Sequence, residues 1–518
     1  MKAFWYLTVF ALVVLASAAV WFGGLNQDEG WYLYAANLVA DGQMPYRDFF
    51  YTQAPLMPIV YSAFAWIWDA WGLLGARVFT LAIGLSGIVF LVALARRLAS
   101  PERRTLVTLL AAILLCGNIY HLYFLAIPKT YALASFFVAM GFYLLSFEGA
   151  LLSAASGVCI AFAFATRISM VALLPIVAMG LLLCRAESAR ARLDWLWFGL
   201  GATVAAAIVF GPFLHGTALS GLLAAQGYHA SRGGFEVSLA VGSLSRFVRW
   251  YMPVLVVLGI GIYSVCAEKG VKGGCGDSRR TLALVLALVG FACVFAVQMM
   301  APVPYEDYNV PVVGLLAVGA AVLAGNSIEW KHAAIALIAL GMTWASSFGS
   351  PLIQDWMTNG KDRFWVRTRA ESELSQLRKV AGMIEALDPD GKDILTQDLY
   401  LAVETGRKVP RALAMGPFSF WDKLPYSGAE NVLLDDARMR ALLDGAPCRV
   451  AAMSGYSFAI TAPKCEETPI DLQMEYWHML KRRYDLVCTE EDFGQGSTPL
   501  IVLMRKDSRE GDGGSSVQ

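Results

Sequence analysis

The stretch NQDEGWYLYAANLVADGQMPYRDFFYTQAPL, residues 26–56, decides the fold because it interrupts a chain that is otherwise mostly apolar. It contains four acids and one arginine, and it directly follows the first hydrophobic segment. Charged and aromatic side chains gathered at the end of a long apolar run are typical of a loop at a membrane surface. What this loop does depends on the segments that surround it.

Composition indicates a membrane protein. The 518 residues are 57% hydrophobic and 16% charged, and the mean hydropathy is +0.54. Soluble domains carry about 25% charged residues. The formal net charge is zero, which leaves no basic footprint for a nucleic acid and argues against such a partner. Nine cysteines without a CxxC pair argue against a zinc or iron–sulfur centre.

Apolar runs predict about eleven transmembrane helices. They lie at 4–22, 74–95, 105–124, 129–147, 150–166, 169–184, 194–214, 250–267, 281–300, 309–325 and 332–349. The first run also has features of a signal peptide, and we interpret it as an uncleaved helix. A further run, 55–71, begins with prolines and is rich in Trp and Tyr, so it either spans the membrane or lies in its interface.

The distribution of basic residues distinguishes between these two alternatives. The basic connections RRLASPERR (96–104), RAESARAR (185–192) and EKGVKGGCGDSRR (268–280) all face the cytoplasm only if 55–71 does not cross. We therefore predict juxtamembrane helices in the first outer loop and a cytoplasmic N-terminus in a multi-pass protein of the inner membrane. Residues 27–75, 301–309 and everything after 351 are then periplasmic.

Charges become frequent after about residue 350, which predicts a second region. We expect a transmembrane domain at 1–350, a soluble α/β domain at 351–507 and a disordered tail at 508–518. RTRAESELSQLRKVAGMIEAL and YLAVETGR read as helices, and DILTQ, CRVAAM and PLIVLMRK as strands. Two of Cys448, Cys465 and Cys488 could form a disulfide outside the cytoplasm, but the sequence does not select the pair.

Asp28 in the first loop has two interpretations. Trp31, Ala35 and Leu38 recur at helical spacing, so Asp28 could simply be the N-cap of a helix that Gly42 closes. An N-cap does not explain the second polar cluster, MPYRDFFYTQAPL, which returns acids and tyrosines to the same surface. Two acidic clusters on either side of one amphipathic helix would frame a cleft at the membrane boundary.

The motif DEGWYLYAANLVADGQMPYRDFFYTQAPL, followed by GARVFTLAIGLSGIVFLVALARRL, resembles the GT-C membrane glycosyltransferases. The resemblance is to the superfamily of protein O-mannosyltransferases and lipid A aminoarabinose transferases. It covers the first roughly 200 residues best and continues in YEDYNVPVVGLLAVGAAVLAG (305–325). It implies transfer of a sugar from a polyprenyl-phosphate-linked donor, with inversion, to a hydroxyl of a protein, lipid A or another glycan.

Such a transfer needs a base for the acceptor proton and cations for the departing phosphate. The resemblance assigns Asp28 as the general base, with Glu29 orienting the acceptor or supporting Asp28. Asp48 matches a recurrent acidic position and is expected to contact the acceptor. Tyr46 and Tyr305 are candidates for contacts to the sugar, although interfacial anchoring predicts the same tyrosines.

Cations near the outer surface are candidates for binding the lipid phosphate. Lys129 precedes one apolar run, Arg167 interrupts an apolar stretch, and Arg249 lies in a long outer loop together with Arg232 and Arg246. The competing interpretation is that these side chains snorkel to lipid headgroups or are solvated.

No metal is predicted to be required. Aminoarabinose-transferase-like members carry an acid where this chain has Lys129, which argues against a metal shared between two acidic sites. A divalent cation could still assist at Asp28 and the donor phosphate, whereas His215 and His229 are expected to be solvated rather than ligands.

Two other functional classes compete with a glycosyltransferase. A secondary transporter would place acids inside the apolar runs and repeat its two halves, and neither feature is evident. A membrane-anchored binding or assembly protein would place its function in the C-terminal domain, which shows no catalytic motif.

Overall fold

The structure is a computed structural model that describes residues 2–183, 193–267, 278–327, 338, 339, 341–343, 345 and 371–506. Up to residue 327 these ranges contain fourteen α-helices. They are α1 (Lys2–Trp21), α2 (Gln27–Ala40), α3 (Leu56–Ser62), α4 (Trp66–Leu98), α5 (Arg104–Cys116), α6 (Ile119–Ala126), α7 (Thr130–Leu145), α8 (Ala150–Thr166), α9 (Leu173–Leu183), α10 (Asp194–Phe210), α11 (Gly216–Ala230), α12 (Val237–Ala267), α13 (Ser278–Met299) and α14 (Val310–Ser327).

The predicted apolar runs lie on these helices, so the chain is a helical multi-pass membrane protein. The run 332–349 falls largely outside the described residues. Within the described ranges, five helices are long and apolar enough to cross a membrane, or six if the α5–α6 pair, bent by 67°, is one span. Four further apolar helices have 10–17 residues, fewer than the roughly 20 that a straight span requires.

The run 55–71 does not form one continuous helix. Helix α3 has only seven residues, which corresponds to about 10 Å at 1.5 Å per residue. The chain then turns at 63–65 and enters α4, which kinks at Gly72, where φ is 61°. Ile59, Phe64, Trp66 and Trp71 are exposed. The short helices and exposed aromatic rings confirm the prediction of juxtamembrane helices in this loop.

Residues 371–506 form the α/β region predicted from the sequence. Its helices are α15 (Glu373–Leu387), α16 (Leu399–Glu404), α17 (Asp436–Gly445) and α18 (Ile470–Arg483). Its strands are β1 (Val450–Met453), β2 (Ile460–Thr461), β3 (Glu466–Glu467), β4 (Tyr484–Phe493) and β5 (Thr498–Arg505). An antiparallel sheet has the order β1-β5-β4, in which Leu503 lies opposite both Ala451 and Leu486, and β2 and β3 pair separately.

Some local predictions for this region were wrong or fall outside the described residues. DILTQ (393–397) is not a strand of the sheet, because it makes only isolated bridges, such as Leu395 to Ala451. Cys448, Cys465 and Cys488 are free thiols. The expected boundary at 350/351 and the tail at 508–518 lie outside the described residues.

A buried ion pair joins α1, α2 and α4. Arg77 on α4 donates from Nε to Glu29 Oε2 at 2.8 Å and from Nη2 to Glu29 Oε1 at 2.6 Å. Arg77 also donates to the carbonyls of Val20, Gly23 and Gly24 at the end of α1. Both charged side chains are fully buried. Because every group is hydrogen-bonded, the pair fixes the position of α2 against the membrane helices.

The opposite side of α2 packs on the C-terminal region. A Cβ at Gly30 would lie 2.2 Å from the backbone nitrogen of Tyr400 on α16. At the α4 kink, Leu73 donates its backbone N–H to Glu404 Oε2 at 2.6 Å. Trp31 and Leu33 share one buried cluster with Leu399 and Tyr400. The first loop and the C-terminal region therefore lie on the same side of the membrane helices.

Replacing Arg77 with Met should destabilise the protein strongly. Glu29 would remain fully buried without a cation, and breaking such a pair costs about 3–5 kcal/mol. The Arg47→Met variant is the control, because Arg47 pairs with Asp48 at the surface with 52% of its side chain exposed. Thermal unfolding of the purified protein in detergent should show a large decrease in Tm for Arg77→Met and a small one for Arg47→Met. Equal decreases would contradict the role given to the buried pair.

Candidate active site

A cavity of about 730 Å³ lies where the first loop, the neighbouring helix ends and the C-terminal region meet. Asn26, Asp28, Trp31 and Gln53 line it from the first loop. Lys129, Arg167, His229, Arg232, Tyr305 and Asp307 line it from later connections. Met415, Phe418, Tyr456, Cys465 and Gln495 come from the C-terminal region. The cavity therefore combines charged groups from distant parts of the sequence.

The first turn of α2 directs Asp28 into this cavity. Asn26, not Asp28, is the N-cap: its side chain accepts from the backbone N–H of Asp28 at 3.0 Å. Glu29 completes a capping box by accepting from the backbone N–H of Asn26 at 3.0 Å. The sequence-based alternative that Asp28 caps the helix was wrong. Its carboxylate is free of the helix backbone and remains 31% exposed.

Lys129 connects Asp28 to a second acid. Its Nζ lies 2.8 Å from Asp28 Oδ2 and 3.6 Å from Asp307 Oδ2. Lys129 precedes the first residue of α7, and Asp307 lies on the 3₁₀-helix Glu306–Asn309 before α14. Tyr131 donates its hydroxyl to Asp307 Oδ2 at 2.8 Å. One ammonium group thus lies between two carboxylates near the N-terminal ends of α2, α7 and α14.

These contacts determine the charge of Asp28. Burial alone would raise its pKa, but attraction to the Lys129 ammonium and hydrogen bonds from Lys129 and Trp31 outweigh burial. The pKa of Asp28 is therefore below its ordinary value of 3.8. Trp31 donates its indole N–H to Oδ1 at 3.0 Å. Asp28 is ionised at neutral pH and can accept a proton.

Within the described parts of the chain, two arginines that line the cavity each have a buried N–H group without a partner. Arg167 lies over the rings of Tyr131 and Tyr308, at 4.8 and 4.7 Å from their centroids. Arg232 donates from Nη2 to the Tyr228 hydroxyl at 2.8 Å. Among the described residues, neither Arg167 Nε nor Arg232 Nε has a hydrogen-bond partner, although both atoms are buried. Buried unpaired donors on cationic side chains favour an anionic ligand.

His229 is neutral and is not arranged as a metal ligand. Burial first, and then the positive charges of Arg232 and Arg167, lower the pKa of His229 to about 4. One of its ring nitrogens, Nε2, lies 2.9 Å from Gln53 Nε2. His229 is half-buried at the cavity wall, so it is less solvated than a histidine in a free loop.

The structure brings together four of the eight predicted site residues. Asp28, Lys129, Arg167 and Tyr305 all line the cavity. Tyr305 is 45% exposed and lies at its outer edge.

The other four predicted site residues do not line this cavity. Glu29 is fully buried against Arg77, so it stabilises α2 and does not reach an acceptor. Tyr46 is buried and donates its hydroxyl to the carbonyl of Gln53. Asp48 pairs with Arg47 and Arg411 at a separate, smaller pocket. Arg249 is exposed on α12 and lies over the ring of Trp250.

Sequence reasoning underestimated Asp307 and Arg232. Asp307 lies within YEDYN, at the start of the stretch 305–325 that carries the resemblance, and that position was the available signal. Arg232 and Arg249 occur in the same long outer segment, and no spacing pattern distinguishes them. Only the packing of α11 against the first loop places Arg232 at the cavity.

A multi-pass helical bundle, juxtamembrane helices in the first outer loop and a C-terminal α/β region together define the GT-C fold. ArnT from Cupriavidus metallidurans bound to undecaprenyl phosphate shares this fold with a TM-score of 0.64 and 12% sequence identity, over 98% of this chain and 99% of ArnT. The apo state of that ArnT gives a TM-score of 0.62 at 12% identity, over 97% and 98% of the two chains.

A more distant likeness is to the oligosaccharyltransferase of Archaeoglobus fulgidus in complex with Zn and sulfate. Its TM-score is 0.48 at 12% identity, over 94% of this chain and 72% of that one. By sequence, the chain matches no protein family and no curated protein. At these identities the structural likeness establishes the fold alone.

Proposed function

We propose that the protein is a membrane glycosyltransferase. It transfers a sugar from a polyprenyl-phosphate-linked donor to an acceptor hydroxyl, with inversion, at the outer face of the membrane. The observation that carries this proposal is the cavity itself, in which an accessible carboxylate, Asp28, shares one space with Arg167 and Arg232. The undecaprenyl phosphate bound to ArnT of the same fold supports a lipid-phosphate donor.

In this mechanism Asp28 acts as the general base. The acceptor oxygen attacks the anomeric carbon, its proton moves to the Asp28 carboxylate, and the bond from the anomeric carbon to the phosphate oxygen breaks. The electron pair of that bond leaves with the lipid phosphate. A single displacement on the face opposite the phosphate inverts the anomeric centre. A positioned base contributes on the order of 10²- to 10⁴-fold to the rate.

Arg167 and Arg232 stabilise the charge that develops on the departing phosphate. Their guanidinium groups are held in place by the aromatic rings beneath them, so little reorganisation is needed as the bond breaks. Tyr305 is positioned to contact the sugar or the acceptor at the cavity edge. Tyr456 and Gln495 line the cavity from the C-terminal region, which would therefore shape the access of the acceptor.

We further propose that the cavity opens on the periplasmic side of the inner membrane. The basic connection after α4, which includes exposed Glu102, lies at the opposite end of α4 from the first loop. Thiol labelling of intact cells can check this orientation. A cysteine replacing exposed Glu467 should react with an impermeant reagent, and one replacing Glu102 should not, each compared with the unmodified chain. Labelling of Glu102→Cys but not of Glu467→Cys would show that the cavity opens on the cytoplasmic side.

Replacing Asp28 with Asn should lower the rate of sugar transfer by about 10²- to 10⁴-fold, because the amide cannot accept the acceptor proton. The assay is release of undecaprenyl phosphate from a panel of undecaprenyl-phosphate sugars by the purified protein. Asp48→Asn is the matched control, because Asp48 lies at the separate pocket and its variant should retain activity. Full activity of Asp28→Asn would remove Asp28 as the base.

Replacing Arg167 or Arg232 with Ala should weaken the binding of undecaprenyl phosphate. Loss of a hydrogen bond to a charged group costs about 1.5–3 kcal/mol, which corresponds to about 10- to 150-fold in Kd. Arg249→Ala is the control, because Arg249 is equally charged but lies outside the cavity. An equal effect in all three variants would favour general attraction of the lipid to surface cations.

A further inference from the structure

The ammonium group of Lys129 is the positive charge between the two carboxylates of the site. Its side chain is 8% exposed, and its ammonium group lies 2.8 Å from Asp28 and 3.6 Å from Asp307. Two carboxylates facing one another across a cavity repel each other unless a cation lies between them. In this protein a side chain of the chain itself lies between them.

The ammonium group is held firmly in this position. Lys129 donates its backbone N–H to the carbonyl of Ile127 at 2.7 Å. Its Nζ also lies 5.0 Å from the ring centroid of Tyr131 and 5.7 Å from that of Phe124. These two rings and two carboxylates surround the ammonium group on several sides. It is therefore a fixed part of the site and does not extend into solvent.

The same residues do not fit a divalent cation. Such an ion requires several oxygen ligands at about 2.0–2.6 Å. The neighbouring carboxylate of Glu306 pairs with Arg246 at 2.8 Å, and Asp307 Oδ2 already accepts from Tyr131. Across the described parts of the chain, no group of three or more His, Cys, Asp or Glu side chains is arranged to hold a metal ion.

We propose that Lys129 takes the place of a divalent cation between Asp28 and Asp307, so that this pair of carboxylates binds no metal ion while Lys129 is present. The ammonium group occupies the space between the two acids, and its positive charge repels a second cation there. The ammonium group also offsets the repulsion between the two carboxylates, and its attraction for Asp28 keeps that carboxylate ionised for the proposed proton transfer.

This inference deepens the proposed function, on which its catalytic meaning rests, because it identifies the cation of the same site. Its test is metal binding and requires no sugar donor. If the metal experiment overturns this inference, the sugar-transfer assay still tests the proposed function. If the sugar-transfer assay fails, the metal experiment still tests this inference.

The experiment is a titration of the purified full-length protein in detergent with Mn²⁺, followed by electron paramagnetic resonance. The unmodified protein should show no Mn²⁺ binding that depends on Asp28. Lys129→Glu would place a third carboxylate between the two acids and should bind Mn²⁺ at least about tenfold more tightly. Adding Asp28→Asn or Asp307→Asn to that variant should abolish the gain.

Two further variants make the result decisive. Lys423→Glu makes the same charge change at an exposed position and should bind Mn²⁺ as the unmodified protein does. Lys129→Gln removes the charge without adding a carboxylate, and it should also bind Mn²⁺ more tightly than the unmodified protein. It supplies the test if Lys129→Glu does not fold. The proposal is overturned if the unmodified protein binds Mn²⁺ and Asp28→Asn removes that binding. It is equally overturned if neither Lys129 variant binds Mn²⁺ more tightly than Lys423→Glu does.

Discussion

The buried ion pair between Glu29 and Arg77 is the interaction on which the candidate active site depends. Glu29 follows Asp28 directly, so fixing one carboxylate against α4 determines where the other points. Arg77 also donates hydrogen bonds to three backbone carbonyls at the end of α1. One guanidinium group therefore joins α1, α2 and α4. A fully buried pair is tolerated only when its hydrogen bonds are complete, and here they also satisfy the capping of α2.

The C-terminal region fixes α2 from its other side, so the cavity is a property of both parts of the chain. Gln27 donates its side-chain N–H to the buried Asp398 at 2.7 Å, and its backbone N–H to Gln495 at 2.8 Å. Burial raises the pKa of Asp398, while hydrogen bonds from Gln27, Ser454 and Tyr400 oppose that shift. The residue before the proposed base is thus bound to the region that forms one cavity wall. Acceptor access and the position of the base are structurally linked.

The sequence was sufficient to predict the fold class. Few folds other than a multi-pass helical bundle are compatible with long apolar runs, basic connections and a polar loop after the first run. It also drew attention to Asp28, Lys129 and Arg167, which line the cavity, since a charge at the edge of an apolar run stands out. It could not separate Asp28 from Glu29, because the partner of Glu29 is 48 residues away on another helix. The strand expected at DILTQ failed for a similar reason: strand pairing is decided by tertiary neighbours, which local β-propensity does not encode.

The central claim is that a lipid phosphate binds in the cavity that contains Asp28. The most direct measurement is an experimental structure of the purified protein with undecaprenyl phosphate. We predict that the phosphate oxygens lie within about 3 Å of N–H groups of Arg167 and Arg232, with Asp28 facing the same space. A phosphate bound outside this cavity, in contact with neither arginine, would contradict the claim.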